Sequence, residues 1–136
     1  MVKSVQVSQP VIIAAPLAGW SDYGMRSVLI ACGAREVWTE MINATALVRG
    51  NAKTIAMLKT DKVPGVRQVV QLFGREPADF VAVIESGMLK DYDEVNLNMG
   101  CPAPKIIKNH CGCDYMRHPD DAKHLIEVCA AAVRKT

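Results

Sequence analysis

Strands and helices alternate along this chain without a break, and that alternation limits its fold more than any single residue does. Residues 11–15 form a short apolar run closed by Pro16, which suits a strand buried on both faces. Ser21 or Asp22 can cap a helix that runs to Ala31, with Gly33 just past its end. A second short strand is expected at 36–41. The stretch 43–58 reads as a loop with a helical turn or two, its Lys53 and Lys59 turned to solvent. A Val-rich third strand spans 67–73 and stops at Gly74. Pro77 then stands where a first helical turn tolerates proline, followed by Phe80, Val81, Ile84 and Met88 at helical spacing. The fourth strand is expected at 93–97. Pro119 and Asp120 open a last helix through Val133, apolar at Ala122, Leu125, Ile126, Cys129 and Val133. Four β–α units in this order point to an α/β fold with a parallel sheet and right-handed crossovers.

Two architectures share the pattern: an open doubly wound sheet, and a closed eight-stranded (β/α)₈ barrel of about 250 residues, of which this would be the first half. The first β–α turn discriminates between them. It reads Pro16-Leu17-Ala18-Gly19-Trp20, without the G-x-G-x-x-G of a dinucleotide fold, so the barrel is favoured. A chain of 136 residues is then truncated after its fourth unit, where a fifth strand would begin.

Composition narrows the setting. Half of the residues are hydrophobic and 5% aromatic, which fits an aliphatic α/β core and excludes a disordered tail. The net charge of +2 neither requires nor excludes a nucleic-acid partner, because a local patch can hide in a neutral total. Apolar runs fall short of the roughly 18 residues that span a bilayer. Five cysteines, an odd and sparse set, suit a reducing, cytoplasmic compartment better than a disulfide scaffold.

Reactive groups of a parallel barrel gather at the C-terminal ends of its strands. Four segments fall there: 15–19, 39–41, 71–74 and 96–102. In the last, Cys101 stands between Gly100 and Pro102, so that its thiol projects toward the barrel mouth. A thiol with an ordinary pKa of about 8.5 is mostly protonated near neutrality and can act as nucleophile or proton donor. The plainer role is a small buried apolar side chain. Gln71, inside Val-Val-Gln-Leu-Phe, is either a core amide satisfied by neighbours or a ligand contact. Asn98 is either a turn former or an amide offering donor and acceptor together.

The segments Ala15-Pro16-Leu17-Ala18-Gly19, Thr39-Glu40-Met41, Val69-Val70-Gln71-Leu72-Phe73-Gly74 and Asn98-Met99-Gly100-Cys101-Pro102, with Lys105 following, resemble the tRNA-dihydrouridine synthase family in order and spacing. The resemblance runs from about residue 11 to Thr136. It implies the first half of an FMN-binding (β/α)₈ barrel that reduces the C5=C6 bond of uridine in tRNA, with NADPH as reductant. It further implies Cys101 as proton donor, Asn98 on the uracil edge, and Pro16, Leu17, Ala18 and Gln71 against the flavin.

Departures accompany the likeness. Where the family has Gly-x-Gly and small residues, this chain reads Asn109-His110-Cys111-Gly112-Cys113-Asp114, and Leu17 stands where methionine is usual. The spacing of His110, Cys111 and Cys113 is tighter than that of zinc ligands and no second pair follows, so no metal is expected. His118 and His124 read as surface residues around a helix start. The family's fifth-strand lysine and arginine, its phosphate-binding loops and its tRNA-gripping helical domain have no counterpart in these 136 residues. The 136 residues alone are therefore expected to be inactive. Two rival readings keep the sheet: a non-catalytic association module, and a flavin barrel that reduces a small enone. A half-barrel with open edges at 11–15 and 93–97 is also expected to associate with a second copy, the two copies closing eight strands.

Overall fold

A computed structural model describes residues 13–136. Three parallel strands, β1 (Glu36–Asn43), β2 (Arg67–Phe73) and β3 (Glu94–Leu97), lie in the order β1-β2-β3. Helix α1 (Tyr23–Ala31) precedes β1. Short helices α2 (Ala44–Val48) and α3 (Ala52–Ala56) follow it, and α4 (Pro77–Glu85) crosses from β2 to β3. After β3 come α5 (Pro104–Lys108), a 3₁₀ turn (Gly112–Arg117) and α6 (Pro119–Val133).

Each boundary has a local cause. The Asp22 carboxylate accepts from the Met25 N–H and starts α1, which settles the choice between Ser21 and Asp22. Asn43 and Asn51 do the same for α2 and α3, so the expected loop at 43–58 holds two capped helical turns. Pro77 and Pro119 fill first-turn positions where no amide hydrogen is needed, and Asp120 and Asp121 face the positive end of α6. α4 stops at Glu85 because Gly87 takes a left-handed φ of 76°. Met88 therefore falls outside the helix and is exposed, and Leu89 is the residue that enters the core.

β2 is the central strand and is buried along nearly its whole length. Val70 and Leu72 face a core built with Ile42, Leu47, Phe80 and Leu125, where α4 packs on α6 and α2. Val69 and Gln71 alternate onto the opposite face. Gly74 leaves room for the Phe80 ring, which a Cβ there would meet at 3.0 Å.

The sheet differs from the expected one at its first strand. Residues 11 and 12 lie outside the described residues, and Ile13, Ala14 and Ala15 are in no strand. Ile13 is exposed, so its apolar side chain is not the buried one that the run suggested. A parallel strand is covered on both faces only where neighbours and crossover helices surround it, and this segment would have β1 as its one neighbour. Among the described residues the fold is thus a three-stranded parallel α/β sheet, and the four-unit count is not reproduced. The apolar stripe of α6 is also divided. Leu125 and Cys129 are buried, whereas Ile126 and Val133 are half exposed and line a groove of about 310 Å³ with Val95 and Leu97 beside β3.

Burial pushes the Cys129 thiol up from 9.0 to about 11 and the Tyr115 phenol up from 10.0 to about 12. Both groups keep their protons longer in the folded chain than in the unfolded one. Their contribution is complete below the unfolded pKa values and is lost as pH rises from about 9 toward 12. Denaturant midpoints should hold steady from pH 7 to 9 and fall above it, with a shallower fall between pH 9 and 11 in Cys129→Ala. A midpoint unchanged at pH 11 would contradict this account.

Candidate active site

The C-terminal ends of the three strands carry one connected set of polar side chains. β1 and β2 change register between Trp38 and Met41, and that bulge sets Thr39 and Glu40 against Val70 and interrupts the ladder beside Gln71. The Thr39 hydroxyl fills the gap: it accepts from the Gln71 N–H at 2.9 Å and donates to the Glu40 carbonyl at 2.7 Å. Thr39 is fully buried, so this substitution leaves no orphaned backbone amide. The Gln71 side chain then reaches toward β3. Its Nε2 donates to Asn96 Oδ1 at 3.0 Å, and its Oε1 accepts from Asn98 Nδ2 at 2.9 Å. Asn98 Oδ1 accepts in turn from the Cys101 N–H at 3.1 Å.

Cys101 is held from its other side as well. Its carbonyl accepts from the Cys113 N–H at 3.1 Å, within the loop that opens the 3₁₀ turn. Gly112 passes so close that a Cβ would lie 2.5 Å from the Cys101 carbonyl oxygen and 3.1 Å from its Cβ. With φ of 62° as well, this position admits glycine alone without strain. Tyr115 ties the same loop to the end of β2, its hydroxyl donating to the Gly74 carbonyl at 3.0 Å. The backbone of Cys101 is therefore fixed by hydrogen bonds on both sides, while the residue stays partly accessible.

Pro16, Leu17 and Ala18 lie in an exposed turn closed by the Trp20 and Ser21 amides, both donating to the Leu17 carbonyl. The Ser21 hydroxyl accepts from the Leu17 N–H at 2.7 Å. Glu40 joins this turn to the end of β1 by accepting from the Gly19 N–H.

Gln71, Asn98 and Cys101 are thus brought together by direct contact, and Pro16, Leu17 and Ala18 are brought to the same end of the sheet through Glu40. Asn98 is a turn former here, because its carbonyl oxygen receives Cys101, and it also presents its amide to Gln71. Two members of the network were missed as site residues in the sequence: Thr39 and Asn96. Each is a polar residue in a strand that also carries glutamate, so neither stands out in the sequence. The other cysteines divide by burial. Burial raises the thiols of Cys111 and Cys129, and Cys111 Sγ donates to the Asn109 carbonyl at 3.2 Å.

The parallel α/β sheet thus carries a cysteine, three side-chain amides and an exposed turn at its strand ends. Comparison with known proteins gives the lineage. Residues 12–136 match the family model described as Dihydrouridine synthase (Dus). A probable tRNA-dihydrouridine synthase of Rhizobium leguminosarum bv. phaseoli is 36% identical over 90% of this chain and 38% of its own length. A probable tRNA-dihydrouridine synthase of Rhodobacter capsulatus is 32% identical over 96% of this chain and 40% of its own. The tRNA-dihydrouridine synthase B of Yersinia pestis is 31% identical over 90% of this chain and 38% of its own. The chain belongs to the dihydrouridine synthase family, and it spans about two fifths of the length of these relatives.

Thiol reactivity should follow the geometry. With iodoacetamide at pH 8, exposed Cys32 and partly exposed Cys101 should alkylate while Cys111 and Cys129 stay unmodified until denaturant is added. Peptide mass mapping of a time course reads this directly. Early labelling of Cys129 would show that α6 does not cover the core as described.

Proposed function

We propose that this chain forms the part of a flavin-dependent tRNA-dihydrouridine synthase that donates the proton and lines one side of the flavin. Cys101 carries the reading: it is a partly open thiol at the end of β3, fixed by Asn98 on one side and by Gly112 and Cys113 on the other. In this reading the three described strands belong to a closed (β/α)₈ barrel, and the substrate is a uridine of tRNA in the cytoplasm. The relatives' names give the substrate class, and the strand-end chemistry agrees with it.

The residues present suit FMN. The turn at Pro16, Leu17 and Ala18 offers an accessible apolar surface to a planar ring. Gln71, with one N–H and one lone pair left after its bonds to Asn96 and Asn98, can meet a polar ring edge. When bound and reduced by NADPH, FMN supplies a hydride for C6 of the uracil. Cys101 Sγ gives its proton to C5, completing reduction of the C5=C6 bond, and the thiolate then regains a proton from water. The Asn98 amide holds the Cys101 backbone and keeps hydrogen-bonding capacity for the imide edge of the base. The chemistry needs a positioned acid, and the two-sided hold on Cys101 provides position.

In a protein that carries this segment within a complete barrel, Cys101→Ala should keep FMN bound and slow uridine reduction in tRNA by about 10²-fold or more. Flavin absorbance and single-turnover reoxidation by tRNA measure the two halves of that statement. Undiminished reoxidation in the variant would remove Cys101 from the role of acid.

The groove beside β3 favours one further statement about the 136 residues by themselves. Val95, Leu97, Ile126 and Val133 form an apolar strip along a strand whose outer edge has no partner strand among the described residues. With no further chain attached, a second copy is the occupant of matching chemistry. Sedimentation at micromolar concentration should give a dimer or larger species. A folded monomer of 14.8 kDa would overturn this.

A further inference from the structure

We propose that His110, Asp114 and His118 bind a divalent ion of the zinc class, on the loop that backs Cys101. The three side chains come from positions four apart, and the 3₁₀ turn between them gathers their ligand atoms to within 4.8 Å of one another. His110 Nδ1 lies 3.0 Å from Asp114 Oδ2, and His118 Nε2 lies 3.8 Å from the same oxygen. A tetrahedral zinc with bonds of 2.0–2.1 Å sets neighbouring ligand atoms about 3.3 Å apart, between those two separations. His118 must move in toward the Asp114 oxygen, and both imidazoles are exposed enough to turn.

The donor set selects the ion. Two imidazole nitrogens with one carboxylate oxygen suit zinc, cobalt or nickel and do not suit magnesium or calcium, which take oxygen ligands. Asp114 is 5% exposed and anchors the site, whereas the imidazoles face solvent and leave a way in for the ion. Arg117 lies 3.8 Å from Asp114 Oδ1, so the other oxygen is the one turned to both rings. His110 holds a left-handed φ of 55°, the only such value at a non-glycine among the described residues. That conformation is uncommon at residues other than glycine, and histidine is one of the few that tolerate it. Three protein ligands leave a fourth position for water.

The plainer account is an ion pair that fastens the loop without any metal, and a titration separates the two. The site does not depend on the reductase reading. Its consequence for that reading is mechanical: Gly112 and Cys113 lie between the ligands, and Cys113 bonds the Cys101 carbonyl. An ion here would stiffen the support behind Cys101.

The test uses the 136-residue chain in a Cys32→Ser, Cys101→Ser, Cys113→Ser background, so that accessible thiols cannot take up metal. After chelator treatment, Zn²⁺ is titrated calorimetrically and Co²⁺ by visible absorption. About one ion per chain is expected, with a tetrahedral cobalt spectrum free of thiolate bands. His110→Gln and His118→Gln, both at exposed positions, should each weaken Zn²⁺ binding about 10-fold to 100-fold with unchanged circular dichroism. Absence of binding in the parent would overturn the site, and so would affinities in both histidine variants within about threefold of the parent.

Discussion

The buried amide of Gln71 is the constraint on which sheet and site both depend. It sits on the central strand where β1 changes register, and its backbone N–H would be orphaned there without the Thr39 hydroxyl. A buried, unpaired amide costs about 1–3 kcal/mol, which is a sizeable part of a small domain's stability. The side chain faces the same demand, and Asn96 and Asn98 meet it. Packing therefore forces a row of polar groups to the ends of three strands. A site for a polar ring and a polar base can be assembled there without further desolvation of backbone, because the desolvated groups already have partners.

Much of the architecture was legible because short-range physics decides it. The spans of β2 and α6 follow from a Val-rich run ended by glycine and from a proline-opened amphipathic stretch, and the structure has the same bounds. Asn98 was readable as either turn former or ligand, and the structure shows why the two were inseparable. The carbonyl oxygen that makes the turn receives Cys101, and the amide on the same carbon contacts Gln71.

What was not legible depends on partners far apart in sequence. Whether residues 13–15 pair as a strand depends on neighbours, not on their own apolar character. Met88 continues a helical period, yet the backbone leaves the helix at Glu85, so periodicity alone overran the end. Ile126 and Val133 belong to the apolar stripe of α6, but only the part of that stripe facing α4 is covered. The role of Thr39 was hidden because a bulge cannot be read from one strand. His118 reads from the sequence as a surface residue, and Asp114 carries no ligand signal there. Cysteine spacing points away from these residues, whereas the grouping of His110, Asp114 and His118 arises from the turn at Gly112–Arg117 that joins them.

The cysteines show how one residue type is sorted by surroundings. Cys129 is enclosed by aliphatic side chains of α6 and the core, where burial keeps its proton in place and the thiol behaves as a small apolar group. Cys101 shares neither condition. It follows the last strand on a loop whose direction is fixed by an asparagine on one side and by a glycine that no larger residue could replace on the other. A proton donor must meet its acceptor atom at hydrogen-bond distance, and small displacements cost rate steeply. In the proposed role of proton donor, Cys101 would take its position from the backbone, in a stretch rich in residues that restrict or permit particular dihedral angles. Pro102 restricts the backbone beside Cys101, and Gly112 lets the supporting loop pass where a Cβ would lie 2.5 Å from the Cys101 carbonyl oxygen.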